Sequence, residues 1–242
     1  MWLRWIALAL VLLLRSRAVA LTLDELPPDR VYVVSSVRVE GVETVSAATI
    51  RSVMQMRPPR WYQPWRRWLD PTLFESSLLR SDLERIRTWL RESGRFEAGV
   101  EYDLRVSGDR VTVVVLIHEG PVVAVGSIAI EPVDFAPTDA ELDALRGEVP
   151  LAPGEPFTQA GYDAGRDRLE LRLQRRGFAY ARVEKSALVD TATHEAAIRY
   201  RVTRGDPAVF GITFVEGTDQ VAMRLVRREI AYRQGDSFDP GK

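Results

Sequence analysis

The 242-residue chain has no cysteine and only two histidines, His118 and His194. Without cysteine there are no disulfides, zinc–thiolate sites or cysteine nucleophiles, so burial and hydrogen bonding alone must hold the fold. His118 ends a strand-like run and His194 sits in a turn signal, positions that suit surface roles better than general-base catalysis. No G-x-S-x-G elbow, phosphate-cradling glycine loop or dinucleotide fingerprint occurs. No block of the chain is basic enough to suggest a nucleic-acid partner, and the 33 basic and 34 acidic side chains are mixed along the chain.

Long apolar runs are also missing. Trp5 to Leu14 is uninterrupted, but about ten residues fall short of the ~20 that a membrane-spanning helix needs. It follows Arg4 and leads to Ala18-Val19-Ala20, a small-x-small site, so residues 1–20 read as a secretory signal cleaved after Ala20. These residues carry three arginines and no acid, so their loss takes the net charge from -1 to -4.

What the chain does have is an internal repeat. Leu79, Leu83, Ile86 and Leu90 follow the i, i+4, i+7, i+11 spacing of one helix face, and Gly94 follows them. A shift of 83 residues maps these positions onto Tyr162, Arg166, Leu169, Leu173 and Gly177. The same shift maps Phe96, Ala98 and Val100 onto Ala179, Ala181 and Val183. Each copy thus reads as a helix stopped by a left-handed glycine cap and followed by an extended run.

Strand signals complete the unit. Val100–Val106 and Arg110–Ile117 flank a Gly108-Asp109 turn, and Ala181–Asp190 and Ala196–Val202 flank a longer turn, so each pair predicts a β-rich hairpin. A Gly-Pro or Asp-Pro corner and another strand follow each hairpin, at Glu119–Glu131 and Gly205–Gly217. The chain's first strand is predicted at Val31–Gly41, and short helices at Ala47–Met54, Thr138–Leu145 and Gln220–Tyr232. The unit is therefore β-α-α-β-β, a two-layer α+β module with a three-stranded mixed sheet covered by two helices. Two complete modules are expected at 31–119 and 120–205, and an incomplete third at 206–242.

The V-x-V-E-G strand, the D-L-E-R-I-x-x-x-L-x-x-x-G-x-F-x-A-x-V passage and the E-G-P or G-D-P corner together resemble the POTRA domains of the BamA/TamA outer-membrane assembly superfamily. The resemblance runs from about Tyr32 to the C-terminus. It implies tandem binding modules on the periplasmic face of the outer membrane of a Gram-negative bacterium, ahead of a C-terminal β-barrel not included in this sequence. It implies no enzymatic activity and no cofactor. Expected partners are unfolded outer-membrane β-barrel proteins and periplasmic accessory proteins or chaperones. A two-partner secretion transporter and an FtsQ-like division scaffold are alternatives that also use such modules.

In the family's topology the strand following the long helix lies at a sheet edge, where an extended client could add as a further strand. The resemblance places those edges at Val100, Tyr102, Leu104 and Val106 in the first copy and at Val183 and Leu188 in the second. Asp103 with Arg105, and Glu184 with Lys185, are charges that could blunt them. Two further features are particular to this chain. The first copy carries extra residues between its helices, with Trp61, Tyr62, Trp65, Arg66, Arg67 and Trp68 among them; this run serves either as a packed satellite core or as a partner-binding patch. On the second long helix, Asp163, Asp167 and Glu170 alternate with Arg166, Arg168 and Arg172, a spacing expected to form ion pairs along the helix.

Overall fold

A computed structural model of the chain describes residues 19–27, 30–57, 72–216 and 223–242. The element order is β1 (Val19–Leu21), β2 (Val33–Glu40), α1 (Ala47–Val53), α2 (Ser76–Glu92), β3 (Gly99–Ser107), β4 (Arg110–His118), β5 (Ala124–Pro132), α3 (Asp139–Arg146), α4 (Gln159–Arg175), β6 (Arg182–Asp190), β7 (Glu195–Thr203) and α5 (Met223–Glu229). The chain divides into two compact units. One comprises residues up to 87 together with 99–119, and the other 88–98 together with 120–242.

Each unit has a mixed sheet built by the same rule. The hairpin strands pair antiparallel, β3 with β4 and β6 with β7, while the first strand of the unit pairs parallel with the last, β2 with β4 and β5 with β7. The last strand therefore has a neighbour on each side, with β3 and β6 across it from the first strand. Both first strands carry an irregularity at the same place, between Val34 and Ser36 and between Val125 and Ser127. The apolar pattern agrees with these positions: central β4 buries Val111, Val113, Val114, Val115 and Ile117, and β7 alternates strictly between core and solvent.

Local chemistry explains the helix boundaries. Ser46, Thr138 and Thr158 each accept a hydrogen bond from a backbone N–H in the first turn that follows, and Glu141 closes a capping box on Thr138. Gly94 and Gly177, at the ends of the long helices, have φ of +85° and +96°, a region that L-residues with a Cβ avoid. A small clip recurs three times. Val34 and Phe74 bond to Thr72 and Tyr32, Val125 and Phe157 to Glu155 and Val123, and Phe210 and Phe238 to Asp236 and Ala208, at 2.8–3.0 Å. Within the second unit the glycine turns join this clip, because the Gly94 carbonyl accepts from Val123 N–H at 2.9 Å and the Gly177 carbonyl from Ala208 N–H at 2.7 Å.

Three expectations need adjustment. The first sheet gains a fourth strand, since β1 pairs antiparallel with β3. The strand expected at Gly205–Gly217 forms only the Val209–Ser237 bridge, because its counterparts β2 and β5 rely on a parallel neighbour that it lacks among the described residues. The buried stripe of α4 runs through Tyr162, Gly165, Leu169 and Leu173, with Gly165 in place of Arg166.

Gly165 occupies the helix position that Asp82 holds in α2, 83 residues earlier. Asp82 is fully buried, accepts from Gln55 N–H and Met56 N–H at 2.8 Å, and pairs with Arg85 at 2.7 Å. In the second unit a side chain at 165 would meet Tyr200, whose buried hydroxyl donates to the Tyr162 carbonyl at 2.9 Å. In the first unit the equivalent of Tyr200, 85 residues earlier, is the smaller Val115. In a helix interior Gly→Ala ordinarily stabilises by about 0.5–1 kcal/mol. Here Gly165→Ala is expected to destabilise by about 1–3 kcal/mol through overpacking. In a Tyr200→Val background the penalty should largely vanish, and additive urea-unfolding energies for the two substitutions would refute the clash.

Candidate functional site

The two outer strands are not equally available. Along β3, Val106, Arg105 and Leu104 pair with Val19, Ala20 and Leu21. Farther along, the Leu23 N–H donates to the Tyr102 hydroxyl at 3.3 Å, and the Leu23 side chain is buried. The Val100 carbonyl accepts from the Arg87 guanidinium at 2.7 Å. The chain itself thus engages β3 along most of its length. Cleavage after Ala20 would remove two of the three β1 residues and leave Leu21 and Leu23 in place. Beside this edge, Leu23, Arg80, Leu83, Glu84, Arg87 and Tyr102 line an open groove of about 420 Å³.

On the side of β6 away from β7, no strand pairs with it among the described residues. It therefore presents the unpaired N–H and C=O groups that make an edge a template for a further strand. Its exposed side chains include Leu188, 75% accessible, with Ser186 and Ala187 beside it. Of the residues expected at the edges, Val100, Leu104 and Val183 are core side chains, so only their backbone faces outward. Tyr102 and Val106 are half-buried. The charges at the edges are partnered: Asp103 with Arg105 at 2.9 Å, Glu184 with Arg201 at 3.4 Å, and Lys185 with Asp163. Lys185 also lies 4.3 Å from the centroid of the Tyr162 ring, so its ammonium turns toward the helix layer. The tryptophan- and arginine-rich run Trp61, Tyr62, Trp65, Arg66, Arg67 and Trp68 lies outside the described residues.

The ion pairs expected along α4 do not form in that pattern. Asp163 goes across to Lys185, Arg166 takes its neighbour Asp167, and Arg172 reaches Glu148 at 2.5 Å. Tertiary partners outcompete helical spacing here, because the sheet and the loop after α3 place opposite charges within reach. His118 ends β4, and His194 adopts φ 55° in the β6–β7 turn with its ring 3.8 Å from the Glu97 carboxylate.

The E-G-P corner has a role that spacing alone could not reveal. Glu119 is buried, and its Oε1 accepts from Glu43 N–H, Thr44 N–H and Val45 N–H at 2.7, 3.0 and 2.9 Å, while the Thr44 hydroxyl donates to its Oε2. It latches the loop after β2 to the end of the sheet. In the second unit the partners are exchanged. Asp134, in the loop after β5, accepts from Arg204 N–H and Gly205 N–H at 2.8 and 2.7 Å. Those two bonds hold the Asp134 carboxyl below its ordinary range.

The folds of known proteins agree with this geometry. The family model for POTRA, described as a surface antigen variable number repeat, matches residues 32–120 and 130–205. The chain belongs to the POTRA family. Its fold resembles Haemophilus influenzae BamA POTRA3-5, with TM-score 0.53 and 22% identity over 89% of this chain and 83% of that one. POTRA1-3 of Omp85 from Anabaena matches with TM-score 0.35 and 15% identity, over 72% of this chain and 66% of that one. CdiB from Acinetobacter baumannii matches with TM-score 0.34 and 8% identity, over 75% of this chain and 31% of that one.

The latch of the first POTRA module is expected to set its acid stability. Burial alone would raise the Glu119 pKa, but the hydrogen bonds from Thr44, Val45 and Glu43 outweigh it and hold the group at about 2 instead of 4.5. A carboxyl with a depressed folded-state pKa contributes stability that is present above its unfolded value and is lost as pH falls through the folded value. The wild-type chain should therefore lose stability between pH 4.5 and 2. Glu119→Gln should be weaker at pH 7, by on the order of 2–3 kcal/mol, with a flatter profile across that window. Unfolding measured at several pH values checks this; parallel profiles for the two proteins would contradict the latch.

Proposed function

We propose that the chain is the periplasmic part of an outer-membrane protein assembly factor, acting as a non-enzymatic binding module that takes up extended segments of unfolded β-barrel clients at the outer edge of β6. The observation that carries this reading is the contrast between the edges: β3 is engaged by Leu21, Leu23 and Arg87, which cleavage after Ala20 leaves in place, while β6 lacks a strand on its outer side among the described residues. Backbone pairing at an edge reads shape more than sequence, which suits a receptor for many clients. Accessory proteins or chaperones would use the same modules. In this reading residues 1–20 are an export signal, modules occupy 31–119 and 120–205, and 206–242 begin a third. The Val209–Ser237 bridge, which repeats Val33–Leu73 and Ala124–Pro156, supports the third start.

A photo-crosslinking side chain placed at Leu188 is expected to capture an extended peptide taken from an outer-membrane barrel strand. In a chain that retains residues 1–20, the same group at Val106 should capture it only after residues 19–25 are deleted. Equal capture at both positions in the intact chain, or amide shifts confined to helix surfaces on peptide addition, would refute the edge assignment.

A further inference from the structure

The outward face of α4 is charged in a way that the fold does not require. Arg168, Arg172, Arg175 and Arg176 follow the i, i+4, i+7, i+8 spacing along one side of the helix, flanking the buried residues Gly165, Leu169 and Leu173. With Leu171 and Glu148 they line an open groove of about 470 Å³. Arg172 is engaged by Glu148 at 2.5 Å, and Arg176 faces Glu141 at a longer 3.9 Å. Arg168 and Arg175 are exposed and make no ion pair among the described residues.

Two ordinary explanations account for only part of this. Cations near a helix C-terminus suit the helix dipole, which covers Arg172 and Arg175 in the last turn but not Arg168, two turns earlier. Nor does the module need the charges. The same positions in α2, 83 residues earlier, are Arg85, Trp89, Glu92 and Ser93, and Arg85 already pairs with the buried Asp82.

We infer that this face of α4 is a docking surface for an acidic segment of a partner protein. Charge complementarity and a built-in example argue for that occupant. Glu148 already seats a carboxylate on Arg172, so the groove accepts that group in hydrogen-bonding geometry, and the two arginines flanking it along the helix have no carboxylate of their own. Guanidinium groups recognise planar carboxylates in a two-pronged manner. Arg168 to Arg176 spans about 12 Å of helix, enough for an extended stretch of about four residues. Exposed Leu171 lies between the charges and offers apolar contact to the side chains of a peptide.

The test uses the purified chain and a capped hexaglutamate peptide, with hexaglutamine as the uncharged probe and vesicles containing phosphatidylglycerol as the anionic lipid probe. Hexaglutamate is expected to shift amide signals along 168–176, to bind more weakly as salt rises, and to lose at least tenfold in affinity in Arg168→Gln/Arg175→Gln. Arg110→Gln, on the other unit, should bind as the wild type does. Unchanged binding in the double variant, equal binding of hexaglutamine, or shifts elsewhere would overturn the proposal. Vesicle binding that depends on Arg168 and Arg175, without peptide binding, would overturn it in favour of a lipid surface. Circular dichroism of the double variant should match the wild type, because both side chains are exposed. None of these outcomes depends on the edge of β6.

Discussion

Everything else in each module depends on the parallel pairing of its first strand with its last. The register joins Val34 to Val111 and Val125 to Ala196 across two helices and a hairpin strand. A parallel ladder cannot be closed by a tight turn, so the helices must cross over, and in crossing they cover one face of the sheet. The pairing also gives the last strand a neighbour on each side, so β4 and β7 bury the most side chains of their sheets, and it places β3 and β6 across them from the first strands. Such non-local pairing incurs its loop-closure cost before most contacts form, so the contacts that hold the crossover in place matter to the whole module.

Those contacts recur in function but not in residue type. The loop after the first strand is tied to the end of the last by a carboxylate in both units, yet the carboxylate is Glu119 at the corner in one and Asp134 in the loop in the other. The equivalent position of the long helix is Asp82, bonded to the backbone that follows α1, in one and Gly165, packed under Tyr200, in the other. In each pair a polar group must find its partners, or a large side chain its space, and either half of the contact can supply the solution. The clip that joins the first strand to the start of the long helix is the most uniform, because it is made by backbone groups whose geometry does not depend on side-chain identity.

The consequence for binding is an asymmetry between two modules of the same fold. The first spends its outer strand on the chain's own N-terminal residues and on Arg87; in the second no strand pairs with the outer side of β6 among the described residues, and Lys185 turns inward onto Asp163 and Tyr162. The second also carries the arginine face on α4, which the first lacks. Repetition thus supplies the frame, and the differences between copies lie at the outer strand and on the long helix.

The repeat, its period and the order and type of its elements were legible in the sequence alone, because each rests on local signals: helical spacing in Leu79 to Leu90, β-branched runs in β4, and glycines at 94 and 177 that permit positive φ. The POTRA resemblance followed from that order. Other features belong to the tertiary structure. That Leu21 and Leu23 lie against β3, that Glu119 is a latch, that Gly165 yields to Tyr200, and that Asp163 leaves its helix neighbours for Lys185 are all contacts between residues distant in the chain. Periodicity reports which face of an element is apolar. Which partner a polar group or a strand edge meets is decided only when the parallel ladder brings distant segments together, and there burial and hydrogen-bond geometry outweigh local spacing.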